Sequence, residues 1–549
     1  MGSMTARAWD RLRGSADAVR LLTEAGVVRP YSPTVLADVV LTLRRWGSHP
    51  AGGFRTAALR MPDKLAIIDE RGSLTYAQLH RRTNALANAL ADRGVGPGDG
   101  VAVLCRNHRG FIESSIAVSK LGADVLYLNT AFAGPQLADV LERERPRVVI
   151  HDEEFTDLLA GAEVEQRVLA WTDEEPGDGG ADEARPDTLE ALIRAGSEDD
   201  LDAPERGGRT IILTSGTTGT PKGAPRPQGG VPAAVALLSR MPLRSGWRCY
   251  VAAPLFHTWG FAHYQLAMLL GTTLVLTRRF DPAEALEVLD RHHCQSFAAI
   301  PVMLQRIMAL PEEVLDAHPL PDLSVVASSG SALPGDLPIR WMDRFGENLY
   351  SVYGSTEIAW ASIATPADLR SAPGTAGRVP HATEVRILDG HGRPVPVGES
   401  GRIFVGNGLQ IEGYTGGGAK EVVDGLMSSG DVGRFDDDGR LYVEGRDDEM
   451  IVSGGENVFP KEVEDCLAGH PAVHEVAAVG VADDDFGQRL KAFVVLEAGE
   501  AGAATEDELR EHVRAQLARY KVPRDIVFVD ALPRNATGKV LKRELVDLS

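Results

Sequence analysis

The sequence is poor in cysteine and in positive charge. Its 549 residues include four cysteines, Cys105, Cys249, Cys294 and Cys466. No two of them are close enough in sequence to form a CxxC pair. This pattern indicates neither a zinc site nor a disulfide framework, and it fits a reducing compartment, so we predict a cytoplasmic protein. Lys and Arg number 57 against 78 Asp and Glu, a net charge of −21, which argues against a nucleic-acid-binding surface.

We also expect neither an export signal nor a membrane span. Residues 1–4 read Met-Gly-Ser-Met and resemble an expression remnant in front of a native methionine. Residues 249–277 contain no Asp, Glu, Lys or Arg, which is long enough to cross a bilayer. Because Pro254, Gly260 and Gly271 interrupt this stretch, we interpret it as a buried strand, loop, helix and strand and expect no transmembrane segment.

The length of the chain predicts two or more domains. A capping box at Thr75 begins a helix that Gly94 ends, and strands at 101–104 and 124–128 flank a helix at 111–120. Alternation of strand and helix at this spacing favours a parallel α/β sheet. An acidic stretch rich in Gly and Pro, residues 173–208, predicts an exposed connection, and residues 5–60 carry no chemistry that we can identify.

The last hundred residues predict a compact α+β module. A helix at 461–467 and strands at 476–481 and 490–496 lead to a helix at about 506–519, which a capping box at Thr505 begins. We therefore predict an α/β protein with a large N-terminal domain of parallel or mixed sheets flanked by helices and a small α+β C-terminal domain.

A loop rich in small and hydroxyl residues follows the apolar strand predicted at 210–213. Glycines let the backbone approach a ligand, hydroxyl and N–H groups can surround phosphate oxygens, and a lysine adds positive charge. Pro221 precedes Lys222 and Gly223 follows it, so the loop does not match G-x-x-x-x-G-K-[ST]. We predict that it binds phosphate through Thr214, Ser215, Gly216, Thr217, Thr218, Gly219 and Lys222.

The second motif, residues 350–357, reads Tyr-Ser-Val-Tyr-Gly-Ser-Thr-Glu. Tyr353 offers a flat face for stacking of adenine, and Thr356 offers a hydroxyl to the α-phosphate. Glu357 offers a hard carboxylate oxygen to the Mg²⁺ ion that accompanies nucleoside triphosphates. We predict that Gly354 and Ser355 also contact the nucleotide and that Thr214 is a second metal ligand.

These motifs occur together with three further ones in one order along the chain, at residues 429–431, 445–460 and 533–539. The chain resembles the adenylate-forming superfamily, which includes acyl-CoA synthetases, peptide-synthetase adenylation domains and firefly luciferase. It is most like the bacterial fatty-acyl-CoA synthetases. The resemblance covers roughly residues 60–549.

The resemblance implies roles for further residues. Asp431 would accept hydrogen bonds from the ribose hydroxyls, as acidic residues do in dinucleotide folds, and Arg446 would contact ribose or phosphate. Lys539 would be the catalytic lysine of adenylation. His257 would lie beside the substrate carboxylate, and since no acid near it in the sequence can orient it, we expect positioning or gating rather than general-base catalysis. The segment at 328–334 would supply adenine or ribose contacts from Gly330, Ser331 and Ala332.

The resemblance also implies a hinge at Asp448 that separates an adenylation domain, residues 1–447, from a mobile C-terminal domain, residues 448–549. The superfamily commonly has Asp where this chain has Glu449, which is a conservative departure. Gly454 and Gly455 would let the pantetheine arm of coenzyme A pass close to the backbone.

We therefore predict an enzyme that uses ATP and Mg²⁺ to convert a carboxylic acid to acyl-AMP and then forms acyl-CoA. Two alternatives stay open: a ligase that only adenylates or loads the phosphopantetheine of a carrier protein in trans, and a non-catalytic nucleotide-binding module. The acid is left open: a fatty, an aryl and a polycyclic acid all remain candidates. Trp259, Phe261 and Tyr264 fit the wall of an acyl pocket or the core equally well, so they do not decide among these acids. The oligomeric state, a homodimer included, is also left open.

Overall fold

The computed structural model describes residues 16–47, 49–173, 187–214, 222–226, 230–415, 417–447, 451–453, 456–483, 487–497, 504–535 and 539–546. Helices and strands are numbered along the chain. Within these ranges, no helix combines the length and the apolar character that crossing a membrane requires.

Three helices precede the first sheet: α1 (described over 16–24), α2 (Pro33–Trp46) and α3 (Pro50–Arg60). Helix α2 begins at a hydrogen-bonded cap, because the backbone N–H of Val35 donates to Ser32 Oγ at 3.3 Å. Phe54 and Ala57 of α3 are buried in the largest core cluster, so this part of the chain packs onto the sheets that follow.

An eight-stranded sheet has the order β14-β13-β12-β11-β9-β10-β1-β2, and its strand pairs are parallel except at the two edges. Its strands are β1 (Leu65–Asp69), β2 (Gly72–Thr75), β9 (Arg248–Val251), β10 (Thr273–Val275), β11 (Ser296–Ala299), β12 (Val325–Ser329), β13 (Leu349–Tyr353) and β14 (Ser362–Ala364). The helices between β8 and β15 are α8 (Gly230–Leu238), α9 (Thr258–Leu270), α10 (Pro282–Arg291), α11 (Pro301–Met308), α12 (Glu312–Ala317), α13 (Leu337–Phe345) and α14 (Pro366–Ser371).

A six-stranded sheet has the order β6-β5-β3-β4-β7-β8, and only its edge pair β7–β8 is antiparallel. Its strands are β3 (Gly100–Leu104), β4 (Asp124–Tyr127), β5 (Val148–Asp152), β6 (Gln166–Trp171), β7 (Thr210–Thr214) and β8 (Lys222–Arg226). The helices of this region are α4 (Tyr76–Asp92), α5 (Arg109–Lys120), α6 (Gly134–Glu144) and α7 (Leu189–Ala195), with 3₁₀ turns at Glu153–Phe155 and Asp157–Leu159. The largest core cluster joins both sheets through α4, α5 and α9.

Two smaller sheets complete the described structure. An antiparallel sheet contains β15 (Glu384–Leu388), β16 (Gly401–Gly406), β17 (Val422–Val423), β18 (Leu426–Phe435) and β19 (Leu441–Arg446). The C-terminal sheet contains β20 (Ile451–Ser453), β21 (Glu456–Val458), β22 (Val473–Asp483), β23 (Gly487–Leu496) and β24 (Asp525–Phe528). It packs with α15 (Pro460–Ala468), α16 (Glu506–Gln516) and α17 (Lys542–Val546), and a 3₁₀ turn spans Arg519–Lys521.

Most predicted elements are confirmed, with small differences in their bounds. Both capping boxes form, at Thr75 and at Thr505. Helix α16 ends three residues earlier than predicted, because Leu517 is extended with φ −123° and ψ 165°. Ser328 lies within β12 and Asp431 lies inside β18, so both residues belong to strands. Of the predicted connection at 173–208, residues 174–186 lie outside the described residues.

Candidate active site

The predicted phosphate-binding loop is carried by a β-hairpin. Strand β7 ends at Thr214 and β8 begins at Lys222, and these two residues face each other in antiparallel register. The hairpin therefore returns Lys222 to the strand end from which the loop starts. Five predicted phosphate contacts lie outside the described residues, namely Ser215, Gly216, Thr217, Thr218 and Gly219. The side chain of Thr214 also lies outside them.

A tyrosine that the sequence analysis did not select links this hairpin to the second motif. Tyr414 Oη donates a hydrogen bond of 2.8 Å to Glu357 Oε1, and Lys222 Nζ lies 5.3 Å from the centroid of the Tyr414 ring, within cation–π distance. Burial and then the charge of Glu357 raise the pKa of Tyr414 well above its usual value, so its hydroxyl stays protonated and donates at neutral pH. The one sequence signal for Tyr414 is its place in a glycine-rich stretch, residues 413–418.

The second motif begins within β13 and continues into a tight turn that requires glycine. A Cβ built on Gly354 would lie 2.0 Å from the carbonyl oxygen of Ala359, because the chain folds back so closely there. Within the turn, the backbone N–H of Glu357 donates to Ser355 Oγ at 3.2 Å. Thr356 Oγ1 accepts a hydrogen bond of 3.2 Å from Thr258 Oγ1 of α9, so the turn and the start of α9 are held together.

The predicted adenine and ribose residues converge on one carboxylate. Tyr353 Oη donates to Asp431 Oδ2 at 2.5 Å, and Arg446 Nη1 lies 3.5 Å from Asp431 Oδ1. Arg446 reaches this position because it pairs directly with Asp431 across β18 and β19. Burial raises the pKa of Asp431 above its usual value, against the opposing effects of Tyr353 and nearby cations. One oxygen of the predicted ribose acceptor is thus already bonded to Tyr353.

Lys539 approaches the same carboxylate from the C-terminal part of the chain. Its positive charge is among those that favour the ionised form of Asp431, after Tyr353 and Arg446. Its backbone is held by Asn535, because Lys539 N donates to Asn535 Oδ1 at 2.9 Å and Asn535 N donates to Lys539 O at 2.9 Å. The charge of Lys539 therefore acts on Asp431, while the Lys539 side chain itself is exposed. The predicted hinge at Asp448 and the predicted pantetheine contact Gly455 lie outside the described residues.

The carboxyl end of β12 carries the third group of predicted contacts. Gly330 follows directly after this strand, and Ser331 and Ala332 are exposed beyond it. The C-terminal region lies close to the same loop, since a Cβ built on Gly335 would lie 3.2 Å from the carbonyl oxygen of Ala468 in α15. Gly330, Ser331 and Ala332 thus lie at the carboxyl end of a parallel strand, which is where open parallel sheets typically bind ligands.

His257 lies at the N-cap of α9. Its Nε2 is buried without a hydrogen-bond partner among the described residues, and burial lowers its pKa to about 4. The imidazole is therefore neutral at pH 7, as expected for a residue that no acid orients. An imidazole of such low basicity agrees with a positioning role rather than with general-base catalysis.

The aromatic residues of α9 divide between the core and the site. Phe261 and Tyr264 are buried in the core cluster between the two large sheets, where Phe261 also packs against Tyr127 with ring centroids 5.5 Å apart. Trp259 is only partly buried, and its indole N–H donates to the carbonyl oxygen of Ala327 in β12 at 3.2 Å. Of the three candidates for the wall of an acyl pocket, Trp259 is the one that the structure leaves beside the end of β12.

One group of potential metal ligands lies together within the described part of the chain: Cys105, His108 and Asp152. His108 Nδ1 accepts from the backbone N–H of Gly110 at 3.0 Å, so Nε2 carries the proton that bonds Asp152 Oδ1 at 2.8 Å. Because both ring nitrogens are used in this way, we interpret the group as the hydrogen-bonded start of α5 rather than as a metal site.

The sequence profile of AMP-binding enzymes matches residues 54–415, and the profile of the AMP-binding enzyme C-terminal domain matches residues 462–539. The chain belongs to the AMP-binding enzyme family. The predicted membership of the adenylate-forming superfamily is thereby confirmed.

Similar proteins align over nearly their whole length. A feruloyl-CoA synthase of Amycolatopsis sp is 35% identical over 490 residues, which cover 88% of this chain and 96% of the relative. A 2-succinylbenzoate–CoA ligase of Geobacillus kaustophilus is 36% identical over 496 residues, with 89% and 96% covered. The crystal structure of the anthranilate CoA ligase AuaEII in complex with anthranoyl-AMP superposes with a TM-score of 0.81 at 26% identity, covering 91% of this chain and 97% of that chain.

These similarities confirm three predictions. The fold is an α/β architecture with a large N-terminal and a small C-terminal domain. The chain is an AMP-forming acid–CoA ligase, which activates a carboxylic acid as acyl-AMP with release of pyrophosphate and then transfers the acyl group to coenzyme A. ATP and coenzyme A are its co-substrates. The domain boundary at 447/448 and the role of each site residue stay predictions.

Proposed function

We propose that this ligase activates an aromatic carboxylic acid at the site formed by the hairpin β7–β8, the turn after β13 and the β18–β19 pair. The observation that carries the proposal is the convergence of charged groups from separate segments: Lys222 and Glu357 meet at Tyr414, and Arg446 and Lys539 act on Asp431. A triphosphate, a ribose and a carboxylate need such groups in one place.

The chemistry requires charge neutralisation and alignment. A carboxylate is a poor electrophile, so it must be activated before a thiol can attack it. In the activation step its oxygen attacks the α-phosphorus of ATP, which brings two anions together. In our proposal Lys539 lies between the carboxylate and the α-phosphate and offsets their repulsion, while Lys222 and the hairpin loop hold the outer phosphates. Tyr353 stacks on adenine, and Asp431 accepts a ribose hydroxyl. Loss of one contact to the developing charge costs about 3 kcal/mol, or about a hundredfold in rate.

Mg²⁺ fits the donor set at Glu357. A carboxylate oxygen is the ligand type that Mg²⁺ prefers, and the ion is bound through one or two protein ligands together with phosphate oxygens. In our proposal Glu357 and Thr214 hold it, and the bound ion offsets the charge of the triphosphate.

Two observations support an aromatic acid. The relatives and the solved structure described above are named for feruloyl, 2-succinylbenzoate and anthranoyl groups, each of which contains an aromatic ring. In this chain, Trp259 is fixed by its bond to Ala327 and by edge-to-face packing on His263, with ring centroids 4.7 Å apart. A fixed indole offers a flat wall that suits a planar ring.

The second half-reaction depends on the C-terminal domain. We propose that residues 448–549 rotate relative to residues 1–447 about Asp448, which withdraws Lys539 and brings the pantetheine arm of coenzyme A past Gly455. Proline at position 448 would then restrict the rotation and slow thioester formation more than adenylation. The acyl-AMP would accumulate in that variant.

A cytoplasmic location fits the cysteines, whose spacing in the sequence suggests no disulfide framework.

A paired assay tests this function. Pyrophosphate release and acyl-CoA formation are followed in the same reactions on a panel of cinnamic, benzoic, fatty and polycyclic acids, with and without coenzyme A. Turnover to thioester with the aromatic acids supports the proposal. Preferred turnover of a fatty or polycyclic acid would overturn the substrate class. Pyrophosphate without thioester would show a ligase that only adenylates or serves a carrier protein.

A further inference from the structure

We propose that Tyr414 is a positioning residue of the adenylation half-reaction, which holds Glu357 and Lys222 in the arrangement that a metal-bound triphosphate requires. This inference rests on the proposed function, in which Glu357 holds Mg²⁺ and Lys222 holds the outer phosphates.

Tyr414 contacts both charged groups with different parts of one side chain. Its hydroxyl bonds to Glu357 Oε1 at 2.8 Å, and its ring face lies 5.3 Å from Lys222 Nζ. The hydroxyl is a directional donor to the carboxylate, whereas the ring attracts the ammonium without neutralising it. The side chain thus orients an anion and a cation at once.

The segment that carries Tyr414 is tied to both motifs through the backbone. The N–H of Ile411 donates to the carbonyl oxygen of Glu357 at 3.1 Å, and the N–H of Thr415 donates to that of Gly223 at 2.8 Å. A Cβ built on Gly223 would lie 2.5 Å from Thr415 Oγ1, so this close approach depends on glycine. A shift of either motif is therefore transmitted to Tyr414.

The threonine next to Tyr414 fixes the segment from the other side. Thr415 Oγ1 donates to Glu144 Oε1 at 2.6 Å, which attaches the segment to the last residue of α6. Because its neighbours are bonded to three separate elements, Tyr414 has little freedom to turn away from the site. This is how a side chain outside the two motifs can hold their functional groups to within a fraction of an ångström.

Two substitutions separate the hydroxyl from the ring. Tyr414→Phe keeps the ring under Lys222 and removes the donor to Glu357. Because a hydrogen bond to a charged group contributes about tenfold or more, we expect the Mg²⁺ concentration for half-maximal ATP binding to rise by about tenfold, with ATP binding in saturating Mg²⁺ nearly unchanged. Tyr414→Leu removes both contacts, and we expect ATP binding to weaken at every Mg²⁺ concentration.

Tyr442→Phe is the matched control. Tyr442 lies on β19 with the Arg434 guanidinium 4.9 Å from its ring centroid, so it shares the cation–ring packing of Tyr414 but none of the site contacts described. We expect wild-type Mg²⁺ dependence for this variant. Thermal melting of each variant checks that it is folded, and ATP binding is measured by calorimetry so that the readout does not depend on turnover.

A double-mutant cycle with Glu357→Gln decides whether Tyr414 acts through Glu357. If it does, Tyr414→Phe changes the Mg²⁺ concentration for half-maximal ATP binding less than twofold in the Glu357→Gln background, which is about the usual limit of additivity. Equal effects in both backgrounds, or a Tyr414→Phe variant that matches the wild type, would overturn the inference. Failure of the proposed function looks different: the wild type would then release no pyrophosphate with any acid, whatever the cycle shows for ATP binding.

Discussion

The site contains two tyrosine–carboxylate pairs that differ in where the positive charge lies. Tyr353 donates to Asp431 at 2.5 Å, and Tyr414 donates to Glu357 at 2.8 Å. In the first pair, Arg446 lies 3.5 Å from the carboxylate itself. In the second pair, Lys222 lies on the face of the tyrosine ring.

This difference matches two kinds of ligand. A partly buried carboxylate with a cation beside it is suited to neutral ribose hydroxyls, since it accepts hydrogen bonds without needing a further positive charge from the ligand. A carboxylate and a lysine that are linked through an aromatic ring are suited to a triphosphate with its metal ion, because each charge meets its opposite on the ligand. Four predictions test this comparison.

The largest expected effect concerns Lys539, whose positive charge acts on the Tyr353–Asp431 pair from the C-terminal region. Lys539→Ala should lower acid-dependent pyrophosphate release by a hundredfold or more, about 3 kcal/mol, and leave thioester formation from supplied acyl-AMP largely intact. Lys542→Ala, three residues further along, is the control, because Lys542 pairs with Glu464 at 2.9 Å away from the site. Equal loss of both half-reactions would contradict the assignment.

The second prediction concerns Asp431, the proposed acceptor of a ribose hydroxyl. Asp431→Asn keeps one oxygen acceptor and removes the negative charge, so ATP affinity should fall by about tenfold, with an unchanged Mg²⁺ requirement. Calorimetric titration with ATP measures both. Asp437→Asn, in the exposed turn between β18 and β19, should bind ATP as the wild type does. A raised Mg²⁺ requirement in Asp431→Asn would erase the distinction between the two pairs.

The third prediction uses the pH dependence of stability. Burial raises the pKa of Asp431 in the folded protein above the usual 3.8, so the folded state holds this proton more tightly than the unfolded chain does. Stability from this group is therefore present at low pH and is lost as the pH rises through the raised value. Without ATP, Asp431→Asn should melt about 2 °C above the wild type at pH 8.

Below the usual carboxyl value that difference in melting temperature should shrink, because Asp431 is then protonated in both the folded and the unfolded protein. Melting curves of both proteins from pH 3 to pH 8 provide the measurement. A variant that melts below the wild type at pH 8 would show that the ionised pair with Arg446 stabilises the fold.

The smallest expected effect concerns His257, which lies beside neither pair. Because burial lowers its pKa to about 4, it is neutral throughout pH 6–8 and should contribute no inflection there. His257→Gln should therefore leave the shape of the pH–rate profile unchanged, although the rate itself can fall. Loss of an inflection between pH 6 and pH 7 would show that His257 titrates during the reaction.

Much of the fold was predictable because it depends on local signals. The capping boxes at Thr75 and Thr505 and the strand at 101–104 follow from side chains only a few residues apart. Asp431 was harder to place, since an Asp after Ser-Gly fits a turn or a strand equally well locally. Its strand conformation depends on pairing with β16 and β19, which are distant in sequence.

The sequence by itself determined the chemistry: the hydroxyl-rich loop with Lys222, the Glu357 motif and Lys539 mark an adenylate-forming enzyme wherever they lie in space. Only the tertiary structure decided which groups meet. Tyr414 is 57 residues from Glu357 along the chain and lies in no motif that we identified. The packing of its segment against β8 and the turn after β13 nevertheless places it between the Glu357 carboxylate and the Lys222 ammonium. Side-chain contacts at such separations depend on how sheets and loops pack, and no local pattern of residue types encodes them.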